Sequence, residues 1–324
     1  MKKSVLLILL PLFFLACDST QTGRLDEIKT QLYVLLDSDE LLSPNGFDDE
    51  GIVDPEYTVG MEDDNGAGRI VADTLWPGQD EYRIRIGRSI ESITREIEWE
   101  IYEDEGLAYA HIVRTVSGVL NIVAFDTTPT AIDTFSKPFD LVFNQHVRFR
   151  QNTDENGGPW IVDAFTLGTG ISGNKVSIQN ITICDPVSDD SVLYTFNADE
   201  SENVYIPRDS LPVFMHGDHI LVKVTVANTG PEFPFLSGEM VALNYGLNRF
   251  MRGRRLLHDN GDPPDSVEND NTFTRIWRIH GPGPDHNRRS FKAWFEVTDF
   301  GTFYAEEEAV HTMLWFFPYR VVRR

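Results

Sequence analysis

Asp259, Asp262, Asp265 and Asp270, with Glu268 between them, place oxygen donors at a spacing that could serve a hard cation. Calcium takes six to eight such oxygens, and a loop rich in carboxylates supplies them. The same stretch carries Asn260, Gly261 and Asn271. Aspartate and asparagine also cap the backbone of tight turns with their own side chains. The loop therefore predicts either a calcium site at Asp259, Asp262, Asp265 and Asp270 or a set of self-capped turns. Asn152, Asp154, Asn156, Gly157 and Asp163 follow positions one, three, five, six and twelve of an EF-hand loop. Their flanks read as strands where helices are required, Pro159 and Trp160 occupy later positions, and aspartate stands where glutamate is usual, so a hairpin loop is expected.

His216 and His219 flank Asp218, and His258 or Asp259 could add a third metal donor. Three-residue spacing converges on a helix, whereas a strand sends the two imidazoles to opposite faces. Gly168, Gly170 and Gly173 match G-x-G-x-x-G, but a polar strand and not a helix N-terminus follows, so the segment reads as a loop joining domains. The chain contains no G-x-S-x-G, H-E-x-x-H or P-loop signature. An acid and base drawn from residues such as Tyr82, Glu98 or His111 would need a pocket to converge in, and no residue is assigned as catalytic. No cofactor is expected beyond the calcium alternative.

Lys2 and Lys3 precede an apolar run from Val5 to Ala16, and Cys17 follows it directly. A bilayer-spanning helix needs about 20 apolar residues, and this run is shorter and contains Pro11. It has the layout of a cleaved export signal whose cut falls before a cysteine. Phe14-Leu15-Ala16-Cys17 resembles the lipobox of bacterial lipoproteins, with Phe14 where leucine is usual. The resemblance implies that residues 1–16 are removed and that the Cys17 thiol carries lipid, palmitate included, anchoring the chain to a membrane of the cell envelope. The alternative is an ordinary secretory signal. The remaining thiol, Cys184, ends an alternating strand and is expected to be a buried small hydrophobe, so no disulfide supports the fold.

The formal net charge is −23. Residues 18–244 hold 14 Lys and Arg against 40 Asp and Glu, and residues 245–324 hold 12 against 11. Such a surface repels phosphate backbones and anionic headgroups, so nucleic acid is excluded as a partner and membrane contact should run through the lipid. Arg249, Arg252, Arg254 and Arg255 form a local basic cluster, for which pairing with the acidic half is the simplest account and an anionic glycan an alternative.

Stepping from these residues to the elements that must hold them, Leu25, Ile28, Leu32, Leu35, Leu36 and Leu42 recur at helical spacing after a polar tether over 17–23. An acidic loop-like stretch spans 43–68. Glu96, Glu98 and Glu100 then alternate with Ile97, Trp99 and Ile101, the period of a half-buried strand. Strands are expected over 107–115, 119–125, 142–150 and 160–167. This order, with Ala108 and Ala110 after an acidic turn, Arg148-Phe149-Arg150 and Gly158-Pro159-Trp160-Ile161-Val162, resembles the cone-shaped NTF2-like fold, which implies an α+β domain over 24–172 with a pocket. From 173 to 324 strands alone are expected, at 176–183, 193–196, 220–227, 240–245, 273–279, 291–297 and 315–322. Their spacing, with the Asp259–Asp270 loop placed before a strand, resembles an immunoglobulin-like β-sandwich.

The expected protein is a lipid-anchored envelope component that acts as a noncatalytic binding or structural module toward a protein or glycan partner. The alternatives are an enzyme or small-ligand binder using the cone pocket and a calcium-stabilised surface adhesin. A cone filled by Trp99, Phe149 and Trp160 would favour the first, and an open cavity lined by converging polar groups the second.

Overall fold

In a computed structural model the described residues are 18–42, 54–59, 83–125, 131–154, 158–187, 191–230, 238–246, 252–281, 286–304 and 308–323. Residues 1–16, Cys17, Tyr82, Arg249 and most of the acidic stretch lie outside them. Helix α1 (Asp18–Ser38) begins where a tether was expected. Ile28, Leu32 and Leu36 form its buried stripe at four-residue spacing. Asp39 ends it: its Oδ1 accepts the N–H groups of Leu41 and Leu42 at 2.9 and 3.3 Å.

After β1 (Asp54–Val59) come three long antiparallel strands, β2 (Arg83–Tyr102), β3 (Leu107–Phe125) and β4 (Ala131–Gln151). Each would span about 65 Å at about 3.3 Å per residue. Gly106, at φ 63°, closes the β2–β3 turn in the left-handed region that glycine enters without strain. The expected break at Ser117-Gly118 is absent. β2 is bulged between Ile90 and Ser92, and a Cβ at position 118 would lie 2.2 Å from the Ser89 carbonyl, so glycine serves close strand approach and not a turn. Pro138 is accommodated because β4 pairs there with β3 alone.

The chain continues through β5 (Trp160–Phe165), β6 (Thr169–Ser172), β7 (Val176–Cys184), β8 (Val192–Asn197), β9 (Ile206–Pro207), β10 (Val213–Met215), β11 (His219–Asn228), β12 (Glu239–Gly246), β13 (Arg252–Leu257), β14 (Thr272–Arg278), β15 (Arg288–Asp299), the short helix α2 (Gly301–Tyr304) and β16 (Thr312–Val322). One twelve-stranded sheet carries the order β1-β2-β3-β4-β6-β16-β15-β12-β13, and a four-stranded sheet the order β14-β11-β7-β8.

These pairings correct the expected fold class. Strands make up 62% of the described residues and helices 11%, with a single helix of seven or more residues among them. It is a mostly β protein and not an α+β NTF2-like domain followed by an immunoglobulin-like domain. The physical reason lies in β6, which bonds to β4 on one side and to β16 on the other, so the sheet runs without interruption past residue 172. Helices cover the concave face in the cone-shaped fold. Here α1 covers only one end of the long strands, packing Ile28, Leu32 and Leu36 with Ala108, Ala110, Ile112, Phe149 and Trp160. The other end, with Ile86, Ile90, Leu120, Ile122, Phe139 and Leu141, packs against Met240, Ala242, Trp294 and Leu314 of the C-terminal strands.

β15 and β16 are consequently buried on both faces, which accounts for their nearly continuous apolar runs. Phe295, Val297, Trp315, Phe317 and Tyr319 face the small sheet, meeting Ile178, Val222, Val224 and Trp277, while Trp294 and Leu314 face the long strands. Each fully buried large side chain contributes roughly 1.5–3 kcal/mol. Cys184 is buried among the small-sheet strands, as expected of a small hydrophobe.

Candidate functional site

An open groove of about 760 Å³ lies where the end of α1 meets β5 and the start of β15. Leu35, Ile161 and Val162 supply an apolar side. Arg208, Arg288, Arg289 and His286 face Asp39 and Glu40, with Ser38 and Ser290 adding hydroxyls. The fold brings these together from four places. Arg208 opens a 3-10 turn just after Pro207, which β9 ties to Ala164 of β5. Arg288 and Arg289 open β15, opposite Val322 and Val321 of β16. Asp39 and Glu40 follow the helix.

Among the described residues the groove's charges do not balance. Arg208 pairs with Asp39, and Arg289 Nη2 reaches Glu40 Oε1 at 3.1 Å. Arg288 is exposed and has no carboxylate within salt-bridge distance among the described residues. Behind the groove, Arg320 stands opposite Ser290 across the strand pair and is 8% exposed. Its Nη2 donates to the Arg208 carbonyl at 2.9 Å, whereas its buried Nη1 has no hydrogen-bond partner. Burial, then the neighbouring guanidinium groups of Arg288 and Arg208, hold Arg320 below the usual arginine range, with Asp209 acting weakly the other way. Positive charge is thus concentrated in a chain whose net charge is strongly negative.

Sequence reasoning missed this grouping and singled out Arg249, Arg252, Arg254 and Arg255 instead. Arg208 and Arg320 are 112 positions apart, so only the Arg288-Arg289 dipeptide was available as a local signal. Of the expected cluster, Arg252, Arg254 and Arg255 lie on β13, at the edge of the large sheet.

The Asp259–Asp270 loop uses its carboxylates on its own backbone. Buried Asp259 accepts the Asp270 N–H at 3.1 Å on Oδ1 and the Asn271 N–H at 2.8 Å on Oδ2. Buried Asp265 accepts the Gly261 and Ser266 N–H groups at 2.7 and 2.8 Å. Asp270 Oδ1 caps Thr272, and Asn260 caps Asp262. Burial raises the Asp259 carboxyl above its ordinary range, and the two backbone N–H groups oppose the rise. Asp262 and Asp270 are exposed. Among the described residues no group of three or more His, Cys, Asp or Glu side chains is placed to hold a metal ion.

His219 begins β11, His216 lies across the Gly217 turn from it, and His258 contacts Arg275 at 3.2 Å, so the three are not assembled as ligands. Asp163 of the EF-hand-like pattern pairs with Arg148 and Arg150. Gly168 to Gly173 form β6 and its flanks, with no helix after them. Glu98 and His111 stand opposite each other, 3.7 Å apart, on the face turned away from Ala110 and Ile112. His111 stacks on His146 with ring centroids 4.4 Å apart. Burial, then His111, lower the His146 pKa, while Glu202 opposes. These groups do not converge in an interior cavity.

That interior is filled. Trp99 lies 5.2 Å from Tyr33 of α1 and 5.8 Å from Phe149, centroid to centroid, and Phe149 and Trp160 are buried beneath the helix. Elsewhere Asn228 Nδ2 lies within hydrogen-bond distance of Glu239 Oε2 at 2.8 Å and Asp299 Oδ1 at 3.2 Å, and burial raises both carboxyl groups above their ordinary range. No family model matches the chain, and no curated protein matches it.

Proposed function

We propose that the chain is a lipid-anchored component of the bacterial cell envelope that works as a noncatalytic binding or structural module. The observation that carries the noncatalytic part is the packing of Trp99, Phe149 and Trp160 beneath α1, which occupies the space a cone-shaped pocket would need. The outward Glu98 and His111 pair, with the Glu98 side chain 86% exposed, lacks the water-excluding surroundings that acid–base chemistry uses. The anchor rests on Lys2, Lys3, the run from Val5 to Ala16 and Cys17. With α1 starting at Asp18, an acylated Cys17 would join the lipid directly to a helix. The first buried residue among those whose side chains are described is Ile28, about 15 Å along the helix from Asp18, and Arg24 pairs with Glu103 of the body one turn before it.

The test is to express the full chain and its Cys17→Ala variant in bacteria with an alkyne-tagged palmitate. Label on the wild type alone, membrane fractionation that is lost in the variant, and a mature mass beginning at a diacylated Cys17 are the expected results. An intact residue 1–16 leader, or a mature start elsewhere without lipid, overturns the anchor.

A further inference from the structure

We propose that the groove between the end of α1, β5 and the start of β15 is a binding site for a small ligand that carries an oxyanion group beside an apolar portion. This goes beyond the module assignment by naming a ligand class, and it does not depend on the lipid.

Three features of the groove support it. The first is charge imbalance: the lining holds three guanidinium groups against two carboxylates, and both carboxylates are already paired, Asp39 with Arg208 and Glu40 with Arg289. Arg288 is left without a carboxylate among the described residues. The second is the buried Arg320. A guanidinium nine-tenths buried with an unpartnered Nη1 costs stability unless something offsets it. Its placement behind Arg208 and Ser290 adds positive potential to the groove. The third is shape. About 760 Å³ falls within the range typical of small-molecule sites, and Leu35, Ile161 and Val162 give one side that can cover an apolar ligand portion.

Arginine suits this task because its planar fork meets carboxylate and phosphate oxygens in pairs. The rest of the surface is acidic and would repel an anion, so a local positive groove also directs where it lands. Arg288 is the residue most directly available, and Arg208 and Arg289 can turn from their carboxylates toward a ligand.

Isothermal titration calorimetry on the full chain in detergent tests the assignment, with pyrophosphate as the phosphate probe, citrate as the carboxylate probe and glucose as a neutral control. The expected result is one-site binding of at least one anion and none of glucose, weakening about tenfold or more between low salt and about 0.3 M salt as screening increases. Whichever anion binds more tightly identifies the oxyanion type. Arg288→Ala should weaken binding about tenfold, with partial recovery in Arg288→Lys, because one charge-assisted contact is lost and then replaced by a point charge. Arg278→Ala, which removes an exposed arginine on β14 of the other sheet, should bind as the wild type does. Cys17→Ala should also bind normally, which keeps this test readable if the anchor fails. Saturation by neither anion, unchanged affinity in Arg288→Ala, or an equal loss in Arg278→Ala overturns the proposal. Arg288 is exposed, so its variants are expected to melt within a degree or two of the wild type, and circular dichroism confirms that the comparison is made on folded protein.

Discussion

The aspartate loop at 259–270 and the arginine groove are both crowds of like charge, and they resolve the crowding in opposite ways. In the loop, Asp265 lies within four residues of the N–H groups it accepts and Asp259 within twelve, so the loop folds back on itself and satisfies each buried carboxylate with two backbone donors. In the groove, guanidinium groups arrive from the turn after β9, from β15 and from β16, and Arg320 keeps an unpartnered Nη1. Charges that are close in sequence can be neutralised by local turn geometry. Charges assembled by the tertiary fold have no such local remedy: Arg320 Nη1 stays buried and unmatched behind the groove, and exposed Arg288 is left for a ligand.

The largest expected effect comes from breaking the local remedy. Asp259→Ala would orphan the Asp270 and Asn271 N–H groups in a partly buried loop and should cost about 1–3 kcal/mol in urea denaturation. A loss under about 0.5 kcal/mol would mean that the carboxylate is not what holds the loop. Arg320→Met tests the opposite case. Replacing a buried guanidinium that has one unmatched nitrogen by an apolar side chain of similar length should leave stability unchanged or raise it by about 1–2 kcal/mol. A loss of several kcal/mol would show that Arg320 is structural and not held at a cost.

Calcium provides a smaller test. With the loop carboxylates already engaged by backbone donors, calcium or a chelator should shift the melting temperature by less than about 1 °C. A rise of several degrees with calcium, lost in Asp262→Asn, would support the cation-site alternative and erase the contrast.

The smallest effect concerns the stacked His111 and His146 pair, a third place where like charge could gather, in which burial and then His111 lower the His146 pKa. Because the His146 pKa is lowered in the folded protein, the unfolded chain binds that proton more readily. Its contribution is fully present above the unfolded value near 6.5 and is lost as pH falls through that value toward the folded one. His146→Gln should therefore lose less stability than the wild type between about pH 7.5 and pH 5.5. Parallel curves would remove His146 from the account. Glu239 and Asp299 carry the opposite sign, since burial raises both, so their effect grows more favourable as pH falls and must be separated by the variant comparison.

Much of the strand pattern was legible in the chain. Alternation at Val222, Val224 and Val226 marked the buried face of β11, and the unbroken apolar run at Trp315-Phe316-Phe317 marked a strand covered on both sides. The long unbroken β3 was not legible, because Ser117-Gly118 carries turn composition while its purpose is clearance against a bulge in another strand. Strand β6 was hidden for a related reason: Gly168-Thr169-Gly170 reads as loop, yet a Cβ at position 168 would meet the Phe143 ring at 2.1 Å, so close packing excludes a larger side chain.

Residue order alone determined the local quantities: where the leader-like run ends, which faces alternate, which loop is rich enough in Asp and Asn to cap itself or hold a cation, and how acidic the chain is. These depend on neighbours a few positions apart, where geometry follows from helix, strand and turn periodicity. The tertiary structure alone decided that β6 fuses the two halves into one sheet, that C-terminal strands, joined by the short α2, cover the far end of the long strands, and that Arg208 meets Arg288 and Arg289 at one groove with Arg320 behind them. Each of these rests on contacts between residues far apart in the chain, and burial patterns say that a face must be covered without saying by what.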